Sequence, residues 1–369
     1  MSFFHQLPFE TLSTIVSYIC NPQDLYQCTL TSTAFYKLAN PKLWHAPTDV
    51  TTTSYYEFAR TLLNDNQIDN LRSLPLGHYI RRLDLSFALT DLGYSAGVRL
   101  LFTYTPLLEI LTIDLSGPIR SFRHKYREAK PVSKNLLLLC PRLRVVSRTD
   151  RYLNFLKALG HCHQLHTLHL VDTDIIFDGL WNLRHCPLES LSVKSMTWTA
   201  HDKLHDLHQF TRLSSLKITT NDRYDIVDRL LFLSPPQQST ILVFPCLKTL
   251  HLHCHGSDGV STRTLVHILT TYPQLQELSI LVIKLTIIQG PVFPHLNSLI
   301  LEDFDRSTDG AASLLTAEVF RNTRNEAVRS WIHACPALTD FNYEAFWHLD
   351  ERYLYDTLDM QRIRSGGPL

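Results

Sequence analysis

Residues 247–252 read LKTLHL, and residues 275–280 read LQELSI. Both follow the pattern L-x-x-L-x-L, in which the last two apolar residues are separated by a polar one. Alternation at a period of two residues is typical of a strand with one buried and one exposed face. Each stretch is therefore predicted to form a half-buried strand.

The same pattern recurs ten times along the chain, with degenerate copies at Leu143 and Leu338. The copies begin at Ile80, Leu108, Leu143, Leu165, Leu188, Leu213, Leu247, Leu275, Leu296 and Leu338. Their mean spacing is about 29 residues, at the upper end of the period that leucine-rich repeats show. The chain is therefore predicted to contain an irregular repeat array.

Segments between the copies carry apolar residues at helical spacing, such as Leu265, Ile268 and Leu269. Proline cannot continue a helix and disfavours helical geometry in the residue before it. Cys-Pro and Tyr-Pro pairs therefore predict where a helix gives way to a strand. These pairs begin at Cys140, Cys186, Tyr272 and Cys335. The cysteines are predicted to be small buried residues.

A unit of one strand and one helix cannot cover its own apolar face, so neighbouring units must stack around a shared core. The repeats resemble the leucine-rich repeat superfamily over about residues 80–345. This resemblance implies an α/β leucine-rich repeat solenoid, with a curved parallel sheet on the concave face and helices outside.

The first 46 residues have a different pattern. Apolar residues over 12–19 form one helical stripe that begins after a Leu-Pro pair. A second short helix is predicted from Asp24, and a third over 32–39, ended by Asn40-Pro41. Three short helices make a small core, so this segment is predicted to need a partner surface.

Residues 7–44 closely resemble an F-box, through which substrate receptors bind a Skp-type adaptor in cullin-based ubiquitin ligases. Leu-Pro at 7–8, Asp-Leu at 24–25 and Leu-Trp at 43–44 stand at the family spacing. The resemblance implies that an adaptor interface is contacted or shaped by Leu7, Pro8, Glu10, Ile15, Ile19, Leu25, Phe35, Leu43 and Trp44. A helical cap on the repeats is the alternative, but it does not explain these pairs.

The predicted organisation has four parts. Residues 1–46 form a small all-α three-helix F-box, and 47–79 form a helical linker. Residues 80–345 form the leucine-rich repeat solenoid, and 346–369 form a C-terminal cap and tail.

Strand alternation directs one set of side chains to the concave face. The central outward positions are predicted to be Asp84, Thr112, Ser147, His169, Ser192, Lys217, His251, Ser279, Ile300 and Asn342. Such faces commonly bind partners, so a protein substrate is predicted there. The candidate substrate-binding residues are His169, Lys194, Lys217, His251, His253 and Glu302. A solvated sheet face is the alternative for any one of them.

The formal net charge is zero, with 35 basic and 35 acidic residues, which argues against nucleic acid as a partner. The charge is nevertheless uneven, because residues 120–151 contain ten Lys or Arg and two acids. A solvated loop is the favoured interpretation of this basic stretch. An acidic or phosphorylated segment of the substrate is the alternative contact.

No motif predicts catalysis or a cofactor, because the Gly-rich phosphate loops and the hydrolase, zincin and kinase signatures are missing. The eight Cys contain no C-x-x-C pair and are expected to be reduced. Histidines 251, 253 and 255 are interpreted as surface residues rather than a metal site, which needs four ligands. No long apolar run or signal peptide is present, so the chain is expected in the cytoplasm or nucleus, without a membrane partner.

The resemblance therefore implies a non-catalytic substrate-recognition subunit of a Skp-cullin-F-box ubiquitin ligase. Such a subunit would bind the adaptor through the F-box and the target through the repeats, and would promote ubiquitination and proteasomal degradation. The alternative is a scaffold with the same two parts that acts without ubiquitin transfer. A repeat-containing enzyme is a third, weaker hypothesis.

Overall fold

A computed structural model of the chain shows two compact units, residues 1–172 with 181–187, and residues 173–180 with 188–369. The structure describes residues 7–47, 52–67, 74–85, 102–114, 140–149, 156, 159–171, 180–196, 207, 209–220, 244–254, 259–303 and 325–345. The predicted C-terminal cap and tail at 346–369, and most of the basic stretch, lie outside these residues.

The first unit begins with helices and continues with parallel strands. The helices are α1 (Phe9–Tyr18), α2 (Pro22–Thr31), α3 (Thr33–His45) and α4 (Thr52–Gln67), followed by a 3-10 helix, Leu76–Tyr79. The strands are β1 (Arg82–Leu85), β2 (Ile110–Asp114), β3 (Val145–Thr149) and β4 (Thr167–Val171). They pair in that order, each parallel to the next.

The second unit contains a longer series of parallel strands. These are β5 (Ser190–Met196), β6 (Ser215–Thr220), β7 (Thr249–Cys254), β8 (Val260–Ser261), β9 (Glu277–Lys284), β10 (Ser298–Asp303) and β11 (Asp340–Ala345). The pairing order is β5, β6, β7, β9, β10, β11, while β8 pairs with β9. Within the described part of this unit, two helices accompany the strands, α5 (Thr262–Thr271) and α6 (325–334). A 3-10 helix, Leu180–Leu183, precedes β5 in sequence, and all of it except Leu180 belongs to the first unit.

All ten predicted repeat strands are present, including the two degenerate copies, which form β3 and β11. Among the strands that the structure describes, β8, two residues long, is the one without a counterpart in the prediction. Parallel strands at one per repeat confirm the α/β leucine-rich repeat fold. The helical spacing at 265–269 is also confirmed, because α5 buries Leu265, Ile268 and Leu269.

One backbone carbonyl per repeat accepts two N–H groups from the next repeat in the same unit. The Arg81 carbonyl, for example, accepts from Glu109 at 2.8 Å and from Ile110 at 2.9 Å. The same arrangement recurs at the carbonyls of Glu109, Arg144, Glu189, Ser214, Lys248, Gln276 and Asn297. These hydrogen bonds satisfy the backbone N–H groups at the start of each strand. They form even though the number of residues between successive strands varies.

The pattern leucines form the core of each unit, as shown by Leu83, Leu85, Leu250 and Leu252, all with no exposed surface. The residues before proline are buried at the predicted helix-to-strand junctions. These residues are Cys140, Cys186, Tyr272 and Cys335.

Helix α3 differs from the prediction, since it continues through Pro41 to His45 instead of ending at Asn40. Pro41 lacks an N–H, so the helix loses one internal hydrogen bond there. Tertiary contacts compensate, because Lys42 Nζ donates to the carbonyls of Val16 at 3.3 Å and Ser17 at 2.6 Å. The prediction that Pro41 stops the helix was wrong for this reason.

Helix α2 begins at Pro22, two residues before the predicted start at Asp24. The side chain of Asn21 caps it, accepting from the Gln23 N–H at 2.9 Å. Proline fits the first turn of a helix because its missing N–H has no partner there anyway.

Candidate interaction surfaces

The N-terminal helices surround a small apolar core. Val16, Leu25 and Ala39 are buried in it, one from each of α1, α2 and α3. Packed against them are Ile19, Cys28, Phe35, Leu38 and Leu43. Four of the predicted adaptor residues thus lie in or against this core, namely Ile19, Leu25, Phe35 and Leu43. Their main role is to hold the three helices together, which determines the shape of the outer surface.

Trp44 links the three-helix segment to the next helix. Its half-buried ring stacks on Phe58 of α4, with centroids 6.0 Å apart and planes 20° apart. In addition, the Arg81 N–H donates to the His45 carbonyl at 2.9 Å, so the end of α3 also contacts the start of the first strand.

The remaining predicted adaptor residues, Leu7, Pro8, Glu10 and Ile15, are exposed. Leu7 and Ile15 belong to a larger set of exposed apolar side chains on the same segment, which we call the exposed apolar surface. Its members, with exposed fractions, are Leu7 37%, Phe9 52%, Ile15 38%, Tyr18 80%, Tyr26 51% and Leu30 64%.

Phe9, Tyr18, Tyr26 and Leu30 are not among the adaptor residues that the sequence predicts. Ile15 and Tyr18 are three residues apart on α1, and Tyr26 and Leu30 are four apart on α2, so each pair shares one face of its helix. Apolar pairs outside the buried stripe are the signal that could have identified them.

The outward side chains of the second unit's sheet form what we call the open face. Its central row runs Ser192, Lys217, His251, Ser279, Ile300 and Asn342, and each residue is in register with the next. In the first unit, Asp84, Thr112, Ser147 and His169 are in register in the same way. The in-register alignment of the predicted central positions is thus confirmed within each unit.

The six predicted substrate residues are divided between the units. His169 lies on β4 in the first unit, whereas the other five lie in the second. Lys194 on β5 and Lys217 on β6 are exposed. Glu302 lies on β10, in register with Leu281 of β9.

His251 and His253 occupy the middle of the open face, with ring centroids 6.5 Å apart. His251 Nε2 is 3.7 Å from Glu277 Oε2, and His253 Nε2 is hydrogen-bonded to the Ser279 hydroxyl at 2.9 Å. Burial and the nearby Lys217 ammonium group lower the pKa of His251, although Glu277 opposes the shift. His251 is therefore neutral near pH 7.

The thiols at the helix-to-strand junctions are poor nucleophiles. Burial raises the pKa of Cys140 and Cys335 to about 12 and that of Cys186 to about 11. Cys140 Sγ donates to the Thr105 carbonyl at 3.5 Å, and Cys186 Sγ to that of Leu159 at 3.5 Å. Because the thiolate is the reactive form, burial of these three thiols favours a packing role over a chemical one.

Within the described ranges, no group of three or more His, Cys, Asp or Glu side chains is arranged to hold a metal ion. His255, part of the His-rich sequence, lies outside those ranges. None of the helices that the structure describes combines the length and apolar character needed to cross a membrane.

Residues 4–49 match the F-box-like family model. No curated protein sequence matches the chain. Among solved structures, an internalin from Listeria monocytogenes is similar, with 14% identity and a TM-score of 0.34, over 77% of this chain and 66% of that one. A leucine-rich repeat protein of Leptospira interrogans is 14% identical with a TM-score of 0.32, over 79% and 81%. The chain thus spans slightly less than two thirds of the internalin, and its fold is defined by its own strand pairing.

Proposed function

We propose that this chain, which joins an F-box-like domain to leucine-rich repeats, is the substrate-recognition subunit of a Skp-cullin-F-box ubiquitin ligase. F-box domains generally bind Skp-type adaptors, and F-box and leucine-rich repeat families are generally non-catalytic adaptors or receptors. In this proposal a bound conjugating enzyme supplies the chemistry. The chain supplies proximity, which raises the effective concentration of substrate lysines.

The observation that carries the proposal is the exposed apolar surface on the F-box-like domain. Six large apolar side chains are at least one third exposed on a segment whose core holds only a few buried residues. Several large apolar side chains exposed on a small helical domain are typical of a protein interface. The adaptor is the partner that the family match favours.

The repeats supply the second half of the proposal. Their open face presents polar and charged side chains without disturbing the leucine core, so it can vary with the target protein. We place substrate capture there, with ubiquitination and proteasomal degradation of the captured protein as the result, in the cytoplasm, the nucleus or both.

The test uses the full chain with Ile15→Lys and Leu30→Lys together. Burying two ammonium groups in an apolar interface is costly, so we expect the affinity for a purified Skp-type adaptor to fall at least about tenfold. Ser13→Lys with Gln27→Lys is the matched control, because both residues are exposed polar positions on the same two helices. Calorimetry gives the affinities, and circular dichroism confirms that both variants remain folded.

Equal adaptor affinity for the test and control variants would refute the adaptor interface. Capture of the adaptor without cullin would support the scaffold hypothesis instead. Co-purification of adaptor and cullin with wild type, lost in the Ile15→Lys and Leu30→Lys variant, is the result that we expect.

A further inference from the structure

The open face of the second unit is electrically divided. Lys194 and Lys217 lie on the neighbouring strands β5 and β6 and are exposed. Neither forms a salt bridge with any residue that the structure describes. We call these two residues the basic pole.

Exposed carboxylates lie on the other strands of the same face. Glu277 on β9 is 49% exposed, and Asp340 on β11 is also exposed. The Thr249 hydroxyl donates to Glu277 at 3.3 Å, and the Ser298 hydroxyl donates to Asp340 at 3.1 Å. These hydroxyl groups orient the carboxylates without neutralising them. We call Glu277 and Asp340 the acidic pole.

The side chains between the poles leave the separation of charge intact. His251 is closest to Glu277, but its pKa is lowered, so it stays neutral near pH 7 and does not cancel the carboxylate. His253 and Ser279 bond to each other, and Ile300 is apolar. The side chains between the poles are thus buried or partly buried, while both poles are exposed.

The distance between the poles follows from the strand order. Two strand steps separate β6 from β9, and four separate it from β11. At about 4.8 Å per step, the poles lie roughly 10 to 19 Å apart across the strands. An extended polypeptide covers that distance with about three to six residues.

We infer that the open face of the second unit binds an extended segment of a substrate protein that carries an acidic cluster and a basic cluster a few residues apart. The acidic cluster lies over Lys194 and Lys217, and the basic cluster over Glu277 and Asp340. This inference rests on the proposed function, in which the repeats capture the substrate. A uniformly acidic chain, including nucleic acid, matches one pole and is repelled by the other.

The experiment uses the full chain and two fluorescein-labelled synthetic peptides of identical composition. In the bipolar peptide, four acidic residues are followed by a four-residue Gly-Ser spacer and four basic residues. In the alternating peptide the same charges alternate. Fluorescence anisotropy at about 50 mM NaCl, where surface charges are weakly screened, measures both affinities. We expect the bipolar peptide to bind about tenfold more tightly.

Lys194→Glu with Lys217→Glu is expected to remove that preference and to weaken binding of the bipolar peptide about tenfold. The matched control is Arg212→Glu with Arg263→Glu, which makes the same charge change at exposed residues of the same unit outside the strands. Equal binding of the two peptides to wild type, no binding of either, or an equal loss in the control would each overturn the inference. Adaptor affinity, measured on the same Lys194→Glu, Lys217→Glu variant, should remain unchanged, so failure here is distinguishable from failure of the proposed function.

Discussion

Lys42 shows how one side chain joins two helices of the F-box-like domain. Its ammonium group donates to the last carbonyls of α1, Val16 and Ser17, where the helix dipole is negative. Lys42 follows Pro41 directly, so this contact also favours the continuation of α3 through the proline. No sequence periodicity signals such a bond, because its partners are about 25 residues away.

Lys42→Met keeps the aliphatic part of the side chain and removes the charge. We expect the free energy of unfolding to fall by about 1 kcal/mol, the usual contribution of a partly exposed hydrogen bond from a charged group. Urea unfolding followed by circular dichroism measures the change. Exposed Lys37, on the same helix, gives the control Lys37→Met, and an equal effect of both changes would contradict this role for Lys42.

The buried cysteines provide a second prediction. Cys140, Cys162 and Cys335, with pKa values raised to about 12, should resist iodoacetamide at pH 8, while exposed Cys20 and Cys246 react. Mass spectrometry of digested peptides resolves each site, and we expect at least a tenfold difference in labelling rate. In denaturant the difference should disappear. Labelling of Cys140 in the native protein as fast as that of Cys20 would contradict the burial.

His251 predicts a dependence of stability on pH. Its folded-state pKa lies below the ordinary 6.5, because burial and Lys217 disfavour the imidazolium, against the smaller opposing effect of Glu277. Below pH 6.5 the unfolded chain therefore takes up the proton first, and stability falls as the pH drops towards the folded-state pKa.

Wild type should lose stability relative to His251→Gln as the pH is lowered from about 7, since the variant cannot bind this proton. Urea unfolding at a series of pH values measures the difference. His295→Gln, at an exposed residue, is the control for a general effect of replacing histidine by glutamine. A pH-independent difference between wild type and His251→Gln would show that His251 is not perturbed.

At the scale of elements, the contact between the 3-10 helix and the segment just before the second repeat depends on one glycine. Gly77 lies in the 3-10 helix Leu76–Tyr79 and is buried. A Cβ atom there would overlap the carbonyl oxygen of Tyr104, which is backbone and cannot rotate away. The two segments therefore pack closely only because residue 77 has no side chain.

Gly77→Ala should force the 3-10 helix away from Tyr104 and destabilise the first unit by about 1–3 kcal/mol. A lower midpoint of urea unfolding would support this. Leu74→Ala, at an exposed position just before the same helix, is the control for a general effect of substitution. An unchanged midpoint for Gly77→Ala would show that the segments are not in close contact.

Strands and helices were predictable to different degrees. Every repeat strand was predicted because period-two alternation with leucine is a local property of six residues. The end of α3 was not predicted correctly, because contacts with α1 allow the helix to continue through a proline that would ordinarily end it. Likewise, β8 is too short to carry a pattern, and only its pairing with β9 defines it as a strand.

At the scale of the whole molecule, the F-box-like helices pack as part of the first unit and do not form a separate compact domain. Trp44 stacks on Phe58, and the His45 carbonyl accepts from the Arg81 N–H. Removal of residues 1–46 would therefore expose apolar surface on α4. Point substitutions on the exposed apolar surface are better tests of adaptor binding than a deletion.

Two functions on one chain should be separable. The Ile15→Lys, Leu30→Lys variant is expected to lose the adaptor and keep the bipolar peptide, and the Lys194→Glu, Lys217→Glu variant to do the reverse. Substitutions at sites without shared partners usually contribute additively, and each pair here changes residues of one unit only, so the combined variant should lose both by the same factors. Affinity measurements on the four proteins check this, and a combined loss different from the sum would reveal coupling.

The amino-acid sequence alone determined the strand positions, their outward residues and the F-box-like character of the N-terminus, because these depend on patterns within a few neighbouring residues. The tertiary structure decided which apolar residues of that N-terminus remain exposed, how far α3 extends, and how Lys217, His251 and Glu277 influence one another. Those properties arise from contacts between residues that are far apart in the chain, and a local pattern contains no information about them.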